Sequence, residues 1–318
     1  LVIGLWIGLI GRELWRPDAR VIFRDSNLMG LPNLQYLGES LREGFIPWLH
    51  PRRGCGMPFL ADPQAQAMYL PAWAFALLPE EAAFKLQQFV HLLFLGMGFA
   101  LLARFRGVNA AGSICAGIVG VSAQCNLVQI EWLPTLAGAA WVPWSMLAAM
   151  TGASGWWLLC LSMMMYSGYA YLWVMTPVIA GAGMLLAPRP ERRRFLLMAL
   201  LLPVVTAPCW MGYFALSGDA KPHGLTGDSM SPVTGFEPWH LSFFLMPRGI
   251  APYEFIHADG SISSFPVESD VAWSLFCYFG VVPLILGLYA ACRPTRERAA
   301  VVLMGGAGLV MAFGLGWL

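Results

Sequence analysis

Asp25 stands between Arg24 and Ser26, shortly after the apolar segment that opens the chain. A carboxylate tethered just outside an apolar helix can take a proton from a hydroxyl or hold a divalent cation on the aqueous side. The plainer role is a solvated loop acid paired with Arg24. Asp62, in "LADPQ", offers the same two roles, and the proline after it favours a turn. Arg52 and Arg53 precede "GCG", which sets two guanidinium forks beside flexible backbone, suited to phosphate oxygens or to lipid headgroups. Arg248, in "LMPRG", offers the same choice from a second polar stretch. Glu131, in "QIEWLP", lies between two apolar runs and reads either as a second site carboxylate or as an exposed turn acid. Gln87, Gln88 and His91 share a helical spacing inside an apolar run, where hydrogen bonding between helices is the ordinary explanation. His240 and His257 lack metal-ligand spacing. No phosphate-cradling glycine loop, zinc-protease motif or nucleophile elbow occurs.

The elements that position these residues follow from composition. Hydrophobic residues make up 58% of the chain and charged ones 12%, against about 25% charged in a soluble domain. Several apolar stretches approach or exceed the roughly 18 residues that suggest a bilayer span. The fold class expected is therefore all-α, a polytopic transmembrane helix bundle. The short alternating segments of an outer-membrane barrel are missing. A net charge of +1 without a long basic run gives no sign of a nucleic-acid partner. The seven cysteines are odd in number and form no CxxC pair, so they read as small core residues and not as a disulfide frame or metal site.

Spans are expected near 1–15, 82–103, 109–125, 133–150, 155–167, 170–187, 195–216, 271–291 and 299–318. The fifth and sixth are separated by so little that one long broken helix is an alternative. Arginine clusters orient the set: Arg104 and Arg106, then Arg189 and Arg192 to Arg194, then Arg293, Arg296 and Arg298. A first span running outward puts all of them on the cytoplasmic side, as the positive-inside rule requires. The opening segment is short and the chain stops inside an apolar run. Residues 1–318 thus read as a single transmembrane domain, a piece of a longer protein truncated at both ends.

Two long segments then face outward, 16–81 and 217–270. Within the first, "PNLQYLGESLREG" has the pattern of a short amphipathic helix. Pro32 lies at its start, Leu34, Leu37 and Leu41 on one face, and Gly44 at its end, which suits a helix lying on the membrane surface. "PRRGCGMPF" is turn chemistry, and "YLPAWAFALLP" is too short to span. Tryptophans gather near the expected boundaries, as their amphipathic rings prefer.

The stretch "FRDSNLMGLPNLQYLGESLREGFIPWLHPRRGCGMPFLADPQAQAMYLP" resembles the YfhO-like bacterial membrane proteins of the GT-C glycosyltransferase superfamily. That family has an acid after its first span, then a phrase like G-x-I-P-L-W-N-P-x-x-x-G-G-x-P-F-x-A-N-P-Q-x-x-x-x-Y-P. Gly44, Ile46, Pro47, Pro51, Gly56, Pro58, Phe59, Ala61, Pro63, Gln64 and Tyr69 match it in order. "HLLFLGMGFALLARFRG", "EWLPTLAGAAWVPW", "EPWHLSFFLMPRG" and "YFGVVPLILGLYA" extend the resemblance along most of the chain. The departures are His50 and Asp62, each in place of asparagine, and Cys55 in place of glycine. In "YSGYAYLW", Tyr169 and Ala170 replace the His-Pro of a usual GHPQ.

The resemblance implies a multi-pass protein of the bacterial cytoplasmic (inner) membrane. It would transfer a sugar from a polyprenyl-phosphate donor to an extracytoplasmic acceptor such as a cell-wall polymer. Asp25 would act as base on the acceptor hydroxyl or as ligand to a divalent metal (Mg or Mn). Arg24, Arg52, Arg53 and Arg248 would be the choices for stabilising the leaving phosphate. His50, Asp62, Gln64 and Glu131 would be substrate contacts, with the first loop roofing the site. The competing classes are a transporter or flippase, and a non-catalytic binder of lipid-linked sugars. A transporter would place ionisable residues deep within spans, where only Lys85 and His91 come close.

Overall fold

The computed structural model describes residues 1–12, 15, 30–52, 56–123, 130, 132–168, 170–211, 255–256 and 262–263. Asp25, Arg24, Arg53, Glu131 and Arg248, the two expected spans beyond residue 270, and most of the second loop lie outside these residues. Contacts divide the chain into two compact units, Leu1–Val121 with Gln129–Lys221, and Ser122–Val128 with Pro222–Leu318. The second contains an antiparallel pair, β3 (Phe255–Ile256) and β4 (Ile262–Ser263), with Phe255 opposite Ser263.

The described part of the first unit is mostly helical. α1 is Val2–Ile10, α2 Leu31–Arg42, α3 Ala74–Leu77, α4 Glu80–Phe105 and α5 Ala110–Ser122. α6 is Leu133–Thr151, α7 Ser154–Tyr166, α8 Ala170–Leu186 and α9 Arg192–Val205. A two-residue hairpin ladder, β1 (Leu49–His50) with β2 (Met57–Pro58), lies in the first loop. Each expected apolar segment up to residue 216 that falls on described residues is thus helical. Among those residues one helix, α4, is long and apolar enough to cross a membrane by length and composition. Its 26 residues give about 39 Å against a hydrocarbon core of about 30 Å. The 13 residues of α7 give about 20 Å, short of that distance.

Glu80 and Glu81 in the first turn of α4 complement its dipole, and Lys85 pairs with Glu81 at 2.9 Å. α5 runs against α4: Gly96 faces Ile3, Val121 and the carbonyl of Gly117, while Gly117 also meets Ala100. Small residues here let the backbones approach closely. α6 runs alongside α4 in the same direction. Gln88 reaches Ile130 just before α6, Phe94 stacks on Trp144 at 4.5 Å, and Gly98 abuts Pro143 and Trp144.

Between α7 and α8 the chain turns. Gly168, at φ +93°, leaves the helical region, and α8 packs beside α7 instead of prolonging it. Of the two readings of the fifth and sixth segments, two separate helices is the one found. Near the far end, Gly152 after α6 lies against Pro188 and Glu191, in the turn before α9. Arg104, Arg106 and Arg189 to Arg194 therefore collect at the end of the unit where α4 and α6 finish.

The first loop occupies the other end. α2 begins with Pro32 in its first turn and closes in a Schellman arrangement, Phe45 N–H to Ser40 O and Gly44 N–H to Leu41 O, with Gly44 at φ +90°. Its apolar face is not left for a membrane surface. Leu34 and Leu37 are buried in a protein core with Phe59, Tyr69, Phe75, Leu133 and Tyr166, and Gly38 lies against the Phe75 carbonyl. Gln35 also donates to Glu80 at the head of α4.

Candidate functional site

Residues 62–75 form the part of the first loop that enters the helices. Asp62 starts it as a cap: its Oδ1 accepts the Gln64 N–H at 2.9 Å, holding the 3-10 turn Pro63–Ala65. Its Oδ2 lies 3.5 Å from Asn33 Nδ2 on α2, at the outer limit of a hydrogen bond. One oxygen of Asp62 thus holds the turn, and the other faces α2. Among the described residues no three of His, Cys, Asp and Glu gather as a cation ligand set.

Gln66 follows in a left-handed conformation, φ +53°, which no other non-glycine residue adopts among those described. Such strain in a bulky residue persists only when its surroundings fix it. Here Gln66 Nε2 donates to the Ser167 carbonyl at 2.6 Å, and Gly168 beside it lies against the carbonyl of Pro63 and the Cα of Gln64. A Cβ at position 168 would overlap that carbonyl. Ser167 and Gly168 are therefore where the α7–α8 turn touches the loop.

Tyr69 anchors the loop more deeply and is wholly buried. His91 Nδ1 lies 2.6 Å from the Gln87 carbonyl, so that nitrogen carries a proton and donates. Nε2 of the neutral ring then accepts from the Tyr69 hydroxyl at 2.7 Å, whose oxygen accepts from Trp141 Nε1 at 2.9 Å. Burial pushes the Tyr69 hydroxyl pKa up, and the Trp141 bond opposes this only in part. Gln87 Nε2 donates to the Pro71 carbonyl and Gln88 Nε2 to that of Ile130. The polar patch on α4 thus bonds loop and turn backbone and Tyr69, and not a facing helix as its spacing suggested, while Gln87 Oε1 and Gln88 Oε1 are buried without a hydrogen-bond partner among the described residues.

Gln64 and Gln66 line a cleft with Phe84 of α4 and with Trp132, Leu133 and Pro134 at the start of α6. Its cavity volume of about 10 Å³ is room for about one water molecule, far below the roughly 300–1,000 Å³ of small-molecule pockets. The described candidates divide around it. Asp62 supports the turn that presents Gln64, and Gln64 faces the cleft. His50 stacks on Tyr36 with ring centres 4.2 Å apart and packs near Phe59, an aromatic support beneath the hairpin. Arg52 is largely exposed and sits 3.6 Å from Glu39. Gln66 and Trp132 were missed in the sequence; the only signal was their nearness to Gln64 and Glu131. Cys160 and Cys209 are buried free thiols, as expected of core residues, whereas Cys115 is exposed on α5.

Comparison of the chain with protein-family models, with curated proteins and with solved structures found no match.

Proposed function

We propose that the chain is a polytopic membrane glycosyltransferase of the GT-C type. It would move a sugar from a polyprenyl-phosphate carrier to an acceptor outside the cytoplasmic membrane. The observation that carries this reading is the docking of residues 62–75 into the end of the helices opposite the arginine-rich turns. The positive-inside rule makes that end extracytoplasmic, where a lipid-linked donor entering between helices presents its sugar phosphate.

The bilayer itself is supported by apolar side chains left on the outside. Leu196, Leu197, Leu200, Leu201, Val204 and Val205 are exposed along α9, as are Leu86, Val90, Met97 and Leu101 along α4. Stripes of this size are rare on soluble monomers. In hydrocarbon they cost nothing, and the helices satisfy their own backbone groups.

In this reading Asp25 takes the proton of the acceptor hydroxyl as its oxygen attacks the anomeric carbon. The bond to the lipid phosphate breaks with inversion, and the phosphate leaves with the bonding electrons. Arginine supplies the charge that stabilises it, from Arg24, Arg52, Arg53 or Arg248. No step is assigned to a metal. The buried polar groups of α4 weigh against a transporter, because His91 and Gln87 hold the loop and Lys85 pairs with Glu81 near the helix start. The test is transfer by the purified protein in nanodiscs, from a polyprenyl-phosphate sugar to glycan acceptors, with and without chelator. Transfer that persists with chelator supports the mechanism as written; no transfer to any acceptor contradicts the enzymatic reading.

A further inference from the structure

Arg192, Arg193 and Arg194 open α9, Arg189 lies one turn earlier, and a single carboxylate, Glu191, stands among them. Glu191 is taken by Arg194, at 2.9 Å. Arg192 donates a guanidinium N–H to the Leu185 carbonyl. Arg189 and Arg193 are exposed and have no carboxylate partner among the described residues. The cluster does not serve the helix. Cations are unfavourable at the positive end of a helix dipole, and the Glu191 side chain makes no capping bond there. Guanidinium forks gathered in this way suit an anion with several oxygens, and phosphate is the chemistry that fits.

The rest of α9 shows what the phosphate would be joined to. Phe195 and Leu202 are buried, with Phe195 against Trp157 of α7. The opposite side carries two rows at i, i+4 spacing, each side chain 43% to 67% exposed. Leu196, Leu200 and Val204 form one row, and Leu197, Leu201 and Val205 the other. The rows begin within a turn of the arginines. They rise about 14 Å, close to the roughly 15 Å of one hydrocarbon leaflet. A soluble anion would use the arginines and leave the rows bare, and a neutral lipid would do the reverse. A phosphate joined to acyl chains uses both. A zwitterionic headgroup would bring a cation of its own into the cluster, so the charge required is a net negative one.

We propose that this side of α9 is a binding site for an anionic phospholipid of the cytoplasmic leaflet. The headgroup phosphate lies among Arg189, Arg193 and Arg194, and the acyl chains run along the leucine and valine rows. The proposal rests on the membrane reading and on no step of sugar transfer. It sets this lipid at the end of the helices opposite the first loop, away from the proposed entry of the donor.

The test is lipid selectivity. The full chain in detergent is titrated with dioleoyl-phosphatidylglycerol or dioleoyl-phosphatidylcholine, and bound lipid is read by native mass spectrometry. Phosphatidylglycerol is expected to bind at least about tenfold more tightly than phosphatidylcholine. Arg189→Gln combined with Arg193→Gln should weaken it roughly ten- to thirtyfold, about fivefold per arginine, and leave phosphatidylcholine unchanged. Where the double variant fails to insert, Arg193→Gln alone is used, with a loss of about fivefold required. Equal binding of the two lipids, unchanged affinity in the variants, or tighter binding of a polyprenyl phosphate overturns the site. So does a dimer that takes up no lipid, which would give the rows to a second copy. Sugar transfer without lipid selectivity removes this site and leaves the proposed enzyme. Selectivity without transfer does the reverse.

Discussion

The Tyr69 hydroxyl and His91 Nε2 lie 2.7 Å apart, joining the first loop to α4 in the interior of the helices. The bond has a fixed direction, from Trp141 through Tyr69 to His91 and on to the Gln87 carbonyl. It makes the loop part of the bundle's core.

Tyr69→Phe removes one oxygen and leaves two groups, Trp141 Nε1 and His91 Nε2, without their partner. Each unsatisfied buried group costs about 1–3 kcal/mol, so a loss of about 2–6 kcal/mol is expected in denaturant unfolding. The wild type also has an alkaline dependence that this variant lacks. The folded pKa of Tyr69 is raised, so its contribution is full below the unfolded value of about 10 and falls as pH climbs above it. The stability gap between wild type and variant should narrow above pH 10; a constant gap would show that the hydroxyl is not buried.

Gly168→Ala is expected to loosen the loop from the α7–α8 turn. Left-handed backbone alone costs alanine upward of about 1 kcal/mol, and the new Cβ would also overlap the Pro63 carbonyl. A lower melting temperature and faster proteolysis near residues 63–66 are the readouts. Wild-type values for both would remove the contact.

Asp62 separates a structural acid from a catalytic one. Asparagine still accepts the Gln64 N–H, so Asp62→Asn should keep stability within a few tenths of a kcal/mol and retain transfer. Asp62→Ala loses the cap at about 1 kcal/mol. An inactive Asp62→Asn protein of normal stability would give Asp62 the role assigned to Asp25.

The sidedness is open to labelling. In a background without native cysteines, position 77, exposed at the end of α3, should react with an impermeant thiol reagent added outside cells. Position 192, in the arginine-rich turn, should not. The reverse pattern would invert the orientation.

What the sequence revealed and what it hid follow from the range of the interactions. Local signals were legible: the helical segments by their apolar length, the end of α2 by Gly44, and the turn at Asp62 by the proline that follows. Interactions between distant segments were not. The pattern of Leu34 and Leu37 states that α2 has an apolar face, but cannot say whether lipid or Phe75 covers it. Gln87 and Gln88 announce a need for partners without naming Pro71 and Ile130. Beyond its nearness to Gln64, Gln66 carried no signal, because its bond to Ser167 joins residues 101 positions apart.

The central claim is sugar transfer with Asp25 as the base, and one comparison tests it most directly. Initial rates of transfer from a polyprenyl-phosphate sugar are measured for wild type and Asp25→Asn, both checked for insertion and folding. Asparagine keeps the size of the side chain but cannot take the acceptor's proton, so a fall of about 10²- to 10⁴-fold is expected with folding unchanged. Transfer by Asp25→Asn at the wild-type rate would contradict the account.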